Sequence, residues 1–162
     1  MKFKSNNILI ISDTHDDKEA LSYCINKFKN LNFDLIIHAG DITKPDVIKS
    51  LLLLNKPIIA VYGNCDKDKK SLKDAIGKNG IIGEAPLEIK INDKKFIITH
   101  DINKIDKKIK ADVIVHGHTH LPEIETNHIL TINPGECCGF YTFRKTCVLL
   151  DMENLEAELI EL

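Results

Sequence analysis

Arginine is nearly missing from this chain of 162 residues: Arg144 stands alone, and lysine supplies the rest of the 22 positive charges. That scarcity argues against arginine clamps for phosphate, which need the planar guanidinium fork. An excess of either charge is missing too. A formal net charge of -2 gives no bulk attraction to nucleic acid or to an anionic membrane, so affinity for phosphate would have to come from a local site. No apolar run reaches the ~20 residues of a membrane span, and the first residues read as a strand rather than as a cleavable leader. The expectation is a cytoplasmic protein with no membrane partner. No CxxC pair occurs among the five cysteines, Cys24, Cys65, Cys137, Cys138 and Cys147. An odd count without that spacing fits reduced thiols, and adjacent Cys137 and Cys138 read as small buried residues rather than a soft-metal site. Repeats and low-complexity segments are also lacking.

What is present suits one globular domain over residues 1–162, long enough for a proper core. Ile8-Leu9-Ile10-Ile11 is continuously apolar and mostly β-branched, the pattern of a strand buried on both faces. It stops at Ser12-Asp13-Thr14-His15. From Asp17 to Asn30, Leu21, Cys24, Ile25 and Phe28 recur at helical spacing. A second strand, Leu35 to His38, ends at Ala39-Gly40-Asp41, and proline predicts a helix opening at Pro45 and running to Leu54. A third strand, Pro57 to Tyr62, ends at Gly63-Asn64-Cys65-Asp66, and a lysine-rich helix follows from Lys69 to Ile76. Strand and helix in alternation predict a parallel sheet with crossover helices. The rhythm then changes. Leu87–Ile91 and Lys95–Thr99 flank Asn92-Asp93 and read as a hairpin. Asp101 to Lys110 is a short helix or an ordered loop, and strands follow near Val113, Ile124, Ile129–Ile132, Thr146–Asp151 and Glu156–Leu162. The fold class is α/β, with two mixed sheets packed as a sandwich and flanked by helices.

Polar residues able to bind metal collect where these strands end, which is where open α/β sheets place their ligands. They are Asp13, His15, Asp41, Asn64, His100, His118 and His120. Singly, each has a dull reading as a cap, a turn residue or a hydrogen-bonded structural histidine. Together they exceed the four donors of a tetrahedral zinc site. His116, His118 and His120 also sit at every second position after Val113-Ile114-Val115. If extended, His118 and His120 would look into one cavity, roughly 6 to 7 Å apart along the strand, a separation suited to two cations ~3.5 to 4 Å apart.

In order, Asp13-x-His15, Gly40-Asp41, Gly63-Asn64, Thr99-His100 and Gly117-His118-Thr119-His120 resemble the five motifs of the calcineurin-like metallophosphoesterase superfamily. Small single-domain phosphodiesterases of the YfcE type are the nearest match, and Asn133-Pro134-Gly135 resembles a further segment of them. The resemblance runs from Ile8 to Gly139. It implies that Asp13, His15 and His120 hold one divalent metal, that Asn64, His100 and His118 hold a second, and that Asp41 bridges them. Hard oxygens with imidazoles suit manganese, nickel, iron or zinc. The implied activity is hydrolysis of a small phosphoester by a metal-activated water, with Asn64, Cys65 and Asp66 as the catalytic segment. His38 and His116 would orient ligands or contact phosphate, although a structural role suits them better. A dimer or tetramer fits the resemblance.

Two departures stand out. Many members carry a histidine, proposed to protonate the leaving group, where this chain has Cys65, a poor general acid unless tuned. Asp101 stands where glycine is frequent, which leaves the shape of that loop open. The short stretch from His100 to His116 leaves little material for a cap and predicts an open site. Two other functions compete. One is a non-catalytic scaffold, since a retromer subunit resembling this family works by binding proteins. The other is a nuclease, against which stand the absent basic groove and aromatic platform.

Overall fold

The apolar runs of the sequence become the strands of two sheets. In a computed structural model, residues 2–106 and 108–162 are described, and Met1 and Lys107 fall outside them. The strands are β1 (Lys2–Phe3), β2 (Asn7–Ile11), β3 (Leu35–His38), β4 (Ile58–Val61), β5 (Gly80–Gly83), β6 (Leu87–Ile91), β7 (Lys94–Ile98), β8 (Val113–Val115), β9 (Glu123–Thr126), β10 (Leu130–Asn133), β11 (Thr146–Asp151) and β12 (Glu156–Glu161). One sheet has the order β12-β11-β2-β3-β4-β5 and the other β1-β6-β7-β8-β10-β9. Both are mixed: β2, β3, β4 and β5 run parallel, as do β7, β8 and β10, with antiparallel pairs beside them.

The three helices are α1 (Lys18–Phe28), α2 (Pro45–Leu52) and α3 (Lys69–Ile76). Their starts are local chemistry. Asp17 accepts the Ala20 N–H at 2.9 Å and Asp68 the Ser71 N–H at 3.1 Å, two side-chain N-caps, while Pro45 opens α2. Alternation along the strands then divides the core. Leu9, Ile11, Ile36 and Ala60 face helix residues such as Cys24, Phe28, Ile48 and Leu72, whereas Ile10, Ile37, Ile59 and Val148 face Phe96, Ile98, Val115 and Ile132 of the other sheet. The sandwich is as expected. All three helices, however, pack on the same face of the first sheet.

Between Asp101 and Lys110 the described residues form a loop with one 3-10 turn, Ile102–Lys104, capped by Asp101, which accepts the Asn103 N–H at 3.0 Å, in keeping with the expected short helix or ordered loop. Asp101 has φ -114, an extended conformation open to any residue, so the missing glycine does not distort the loop. Two local expectations need correction. The histidines after β8 do not share a strand face, because the strand ends at Val115. The second concerns β5, a strand that the sequence pattern does not announce. Glycine at both ends of a four-residue run hides its β character, yet glycine within a strand marks close backbone approach. A Cβ on Gly80 would lie 1.9 Å from the Ile58 carbonyl oxygen. Replacing Gly80 with alanine should therefore push β5 from β4 and cost about 1–3 kcal/mol, read as a lower urea midpoint at unchanged slope.

Candidate metal centre

Parallel β2, β3 and β4 deliver Asp13, Asp41 and Asn64 to one edge, and the other sheet delivers His100 and the His116–His120 turn to the same place. Backbone bonds lock the loops together. Asp13 N–H donates to Gly40 O at 3.1 Å, His15 N–H to Asp41 O at 3.0 Å and Gly117 N–H to His100 O at 3.1 Å. Glycine permits the closest approaches: a Cβ on Gly63 would lie 2.1 Å from Asp41 Oδ1, and one on Gly117 would lie 2.7 Å from Asp13 Oδ2. Asp13, His15, Asp41, His118 and His120 all have positive φ, between 47 and 72. Non-glycine residues rarely adopt this conformation, at a cost on the order of 1–3 kcal/mol each. Such strain clusters at functional sites because the surroundings must over-determine it.

The side chains cluster around Asp41. On one side His120 Nε2 lies 3.5 Å from Asp13 Oδ1, and the His15 and His120 rings stack with centroids 5.3 Å apart. On the other, His100 Nε2 lies 3.0 Å from Asn64 Oδ1, and the His118 ring meets the His100 ring edge-on at 5.0 Å. Asp41 Oδ2 faces both, 4.0 Å from His15 Nε2 and 3.5 Å from His100 Nε2. All seven predicted donors are thus neighbours.

The nitrogen roles follow from the partners. Ala39 O can only accept, so His100 Nδ1 at 2.8 Å carries the proton and Nε2 faces oxygens alone. Burial works against charge on this ring, but Asp41 and Asp13 outweigh it and raise its pKa. The surroundings of Nε2 therefore favour a positive charge there. Burial raises the pKa of Asp13. For Asp41 it works the same way, but hydrogen bonds from His100 and from the Cys65 N–H, at 2.8 Å, hold the carboxyl well below its usual range. Asp13 Oδ1 and His15 Nε2 are buried with no hydrogen-bond partner among the described residues. Buried polar atoms in that state are costly, and a cation between them would satisfy both. Ligand atoms of Asp13, Asp41 and His100 lie within 4.8 Å of one another, as do those of His15, Asp41 and Cys65. The residues fit divalent metal.

Of four further residues named from the sequence, Asp66 and Cys65 stand apart from the catalytic role expected of them, while His38 and His116 take the structural role that suited them better. Asp66 is 2 % exposed and spends its carboxylate on the backbone, accepting from Gly63 N–H (2.7 Å), Asp41 N–H (3.1 Å) and Thr43 N–H (2.6 Å). It shapes the loop rather than meeting substrate. His38 is fully buried. It accepts the Gly40 N–H at Nδ1 and donates from Nε2 to Thr14 Oγ1 at 3.0 Å. Burial pushes its pKa down to about 3, which favours the neutral ring. His116, 2 % exposed, turns inward beside Asn133 Nδ2 at 3.4 Å. Burial, with Asp41 beside it, pushes the Cys65 thiol up to about 11, a poor match for a proton donor at neutral pH.

Glu136 escaped the sequence reading. It is fully buried and accepts His120 Nδ1–H at 2.7 Å, Thr142 N–H at 2.6 Å, Thr142 Oγ1 at 2.7 Å and Tyr141 N–H at 3.0 Å. A carboxylate behind a metal-facing imidazole fixes its tautomer and orientation. Nothing marks it in the chain, since Asn133-Pro134-Gly135-Glu136 has no periodicity and His120 lies 16 residues away.

A family model described as the calcineurin-like phosphoesterase superfamily domain matches residues 7–155. A phosphodiesterase of Methanocaldococcus jannaschii is 39% identical over 156 residues, which cover 91% of this chain and 93% of the relative. The solved structure of an archaeal phosphodiesterase is similar with a TM-score of 0.87 at 38% identity, covering 96% of this chain and 99% of the other. YfcE, a phosphoesterase from E. coli, shares the fold with a TM-score of 0.70 at 20% identity, over 95% of this chain and 98% of its own.

Glu136→Gln tests the tie to His120 in two ways. Manganese affinity, measured by calorimetry, should fall by about 10–100-fold. Burial opposes the charge of Glu136, but bonds from Cys138, Thr142 and His120 hold its pKa down at about 2 against the ordinary 4.5. A pKa lowered by folding gives stability that is complete above the unfolded value and is lost as pH falls through the folded one. The advantage of the native protein over Glu136→Gln in urea should therefore shrink between pH 4.5 and 2.

Proposed function

The chain belongs to the calcineurin-like phosphoesterase superfamily, and from that membership we propose that it is a dinuclear metal-dependent phosphodiesterase. As a member it is a phosphoric ester hydrolase. The observation that carries the dinuclear reading is Asp41 Oδ2, which faces His15 on one side and His100 on the other. Asp13, His15 and His120 would hold one ion, Asn64, His100 and His118 the other, and Asp41 both. Two divalent ions bound there supply the Lewis acidity that activates water and offsets charge on the phosphoryl oxygens.

The chain's own residues prepare that ground. Glu136 and Ala39 O keep the protons of His120 and His100 on Nδ1, leaving both Nε2 atoms toward the pocket. The Cys65 and His118 N–H groups hold Asp41 and Asp13 in place from behind, at 2.8 and 3.1 Å. Asn64 and His118 are exposed, so a phosphoester reaches the site from solvent. Manganese, nickel, iron and zinc all suit this donor set. A scaffold needs none of these donors, and keeping all seven favours the enzyme over the non-catalytic reading. No helix among the described residues is long and apolar enough to cross a membrane, and all five cysteines are free thiols. The free thiols support a cytoplasmic setting.

Metal-free protein should not turn over bis(p-nitrophenyl) phosphate, and added manganese or nickel should restore activity. Asp41→Ala should reduce metal-dependent turnover to background. Unchanged activity in that variant, or none with any metal, would remove the proposal. Manganese at 100 times its dissociation constant should also raise unfolding stability by about 2.7 kcal/mol.

With Cys65 in place of a histidine, that position offers no imidazole to protonate a departing alkoxide, and His100, the imidazole beside Asn64, is assigned to metal. Rates across a series of diesters should therefore fall steeply as the leaving group becomes more basic. A flat dependence would mean that another group donates the proton.

A further inference from the structure

A cleft of about 560 Å³ opens beside His15, between the turn that enters α1 and the rings of Phe140 and Tyr141. We propose that this cleft is the subsite for the ester group that stays on phosphorus, and that it takes a planar aromatic ring, aryl or nucleobase. The inference rests on the phosphodiesterase reading and names the substrate class of that same site.

Three observations carry it. The first is continuity. His15 lines the cleft and also belongs to the candidate metal centre, and the Tyr141 ring meets the His120 ring edge-on at 4.4 Å. A phosphate held at the centre would thus direct one of its two ester groups along this wall. The second is pre-organisation. Phe140 is 72% and Tyr141 65% exposed, large rings left open to water, and they meet each other edge-on at 5.3 Å. Their loop is not loose. Glu136 accepts the N–H groups of Tyr141 and Thr142 with the same carboxylate that holds His120. The loop backbone at Tyr141 is thus tied to the metal-facing histidine, the Tyr141 ring rests against that histidine, and an open ring face held in place is what stacking requires.

The third is charge. Asp16, Asp17 and Glu19 line the opposite wall, with Lys18 as the cation among them. Asp16 is paired with Lys44 at 2.9 Å, and Asp17 caps α1. A second phosphate would meet this acidic wall, whereas an uncharged ring would not. With Lys18 and Lys44 offsetting two of the three acids, the wall keeps a small net negative charge, which disfavours a polyphosphate relative to an uncharged ring. Phe140 and Tyr141 lie on a loop with no periodic signal in the sequence, so nothing local marks these exposed rings.

The test compares three diesters that share the p-nitrophenolate leaving group: methyl, phenyl and thymidine-5′ p-nitrophenyl phosphate, with manganese-loaded protein. Each kcat/KM is divided by the uncatalysed rate. The phenyl ester, the thymidine ester or both should exceed the methyl ester by about ten-fold, the scale of one stacked ring. Which of the two leads distinguishes aryl from nucleobase. In the Phe140→Ala/Tyr141→Ala double variant the preference should fall to within about two-fold of unity. Tyr141→Leu, which keeps bulk and removes the ring face, should lose part of it. Equal rates for all three esters in the native protein, or a preference that the double variant keeps, overturns the subsite. So does a double variant that dissociates an oligomer on size exclusion while the ratio holds, since the rings would then be a subunit interface. If no diester is hydrolysed, the phosphodiesterase reading fails and binding judges the cleft by itself. Calorimetry with phenylphosphonate and methylphosphonate should then give ten-fold tighter binding of the phenyl compound, lost in the double variant, and equal affinities overturn the proposal.

Discussion

Two carboxylates with almost no access to solvent, Asp13 and Asp41, stand at the ends of adjacent parallel strands, 0 and 2% exposed. Like charges brought together away from water are costly unless donors and positive charge answer them. Most of the surrounding architecture is that answer. Backbone N–H groups from His118 and Cys65 take one oxygen of each. Ring nitrogens of His15, His100 and His120 surround the remaining oxygens at 3.5 to 4.0 Å. Asp13 Oδ1 still lacks a hydrogen bond, and the raised pKa of His100 reports the same surplus of negative field. A protein with no other purpose for this edge would gain by placing apolar residues there.

The backbone accepts a second cost for the same end. Five of the seven donors sit in the left-handed region, and each turn needs other groups to hold it. Asp66 and His38 do that work. One gathers three N–H groups from the loops after β3 and β4, and the other joins the Gly40 N–H to the Thr14 hydroxyl. Their types are those of catalytic residues, an acid and a histidine beside the motifs, but their polar atoms are spent on the frame. Hydrogen-bond saturation separates them from the equally buried Asp13, whose Oδ1 has no hydrogen-bond partner among the described residues.

The sequence made the donors legible because each follows an apolar run, and such a run announces both a strand and its end. Helix starts were equally plain, since Asp17, Pro45 and Asp68 act locally. Three things were hidden. Gly80–Gly83 lacks the apolar density of a strand, because Gly80 serves contact with Ile58 rather than burial. Alternation misled after Val115, since the period of two holds only while the chain is extended, and His118 and His120 turn at φ 72 and 63. Glu136 has its meaning in a partner 16 residues away, beyond the reach of any local pattern.

That hidden glutamate changes how the site is understood as a unit. A carboxylate has only two oxygens, and Glu136 divides them between a histidine of the candidate centre and the loop that carries Phe140 and Tyr141. Any movement of the loop must therefore strain the hydrogen bond to His120, and any reorientation of His120 must disturb the loop. Held well below the usual carboxylate range, the group stays ionised throughout the neutral range and keeps both ties. The loop that carries the rings gains its anchor from a residue whose first duty is to an imidazole. Recognition of the substrate and preparation of the centre thus share one buried charge, and a change in either is expected to register in both.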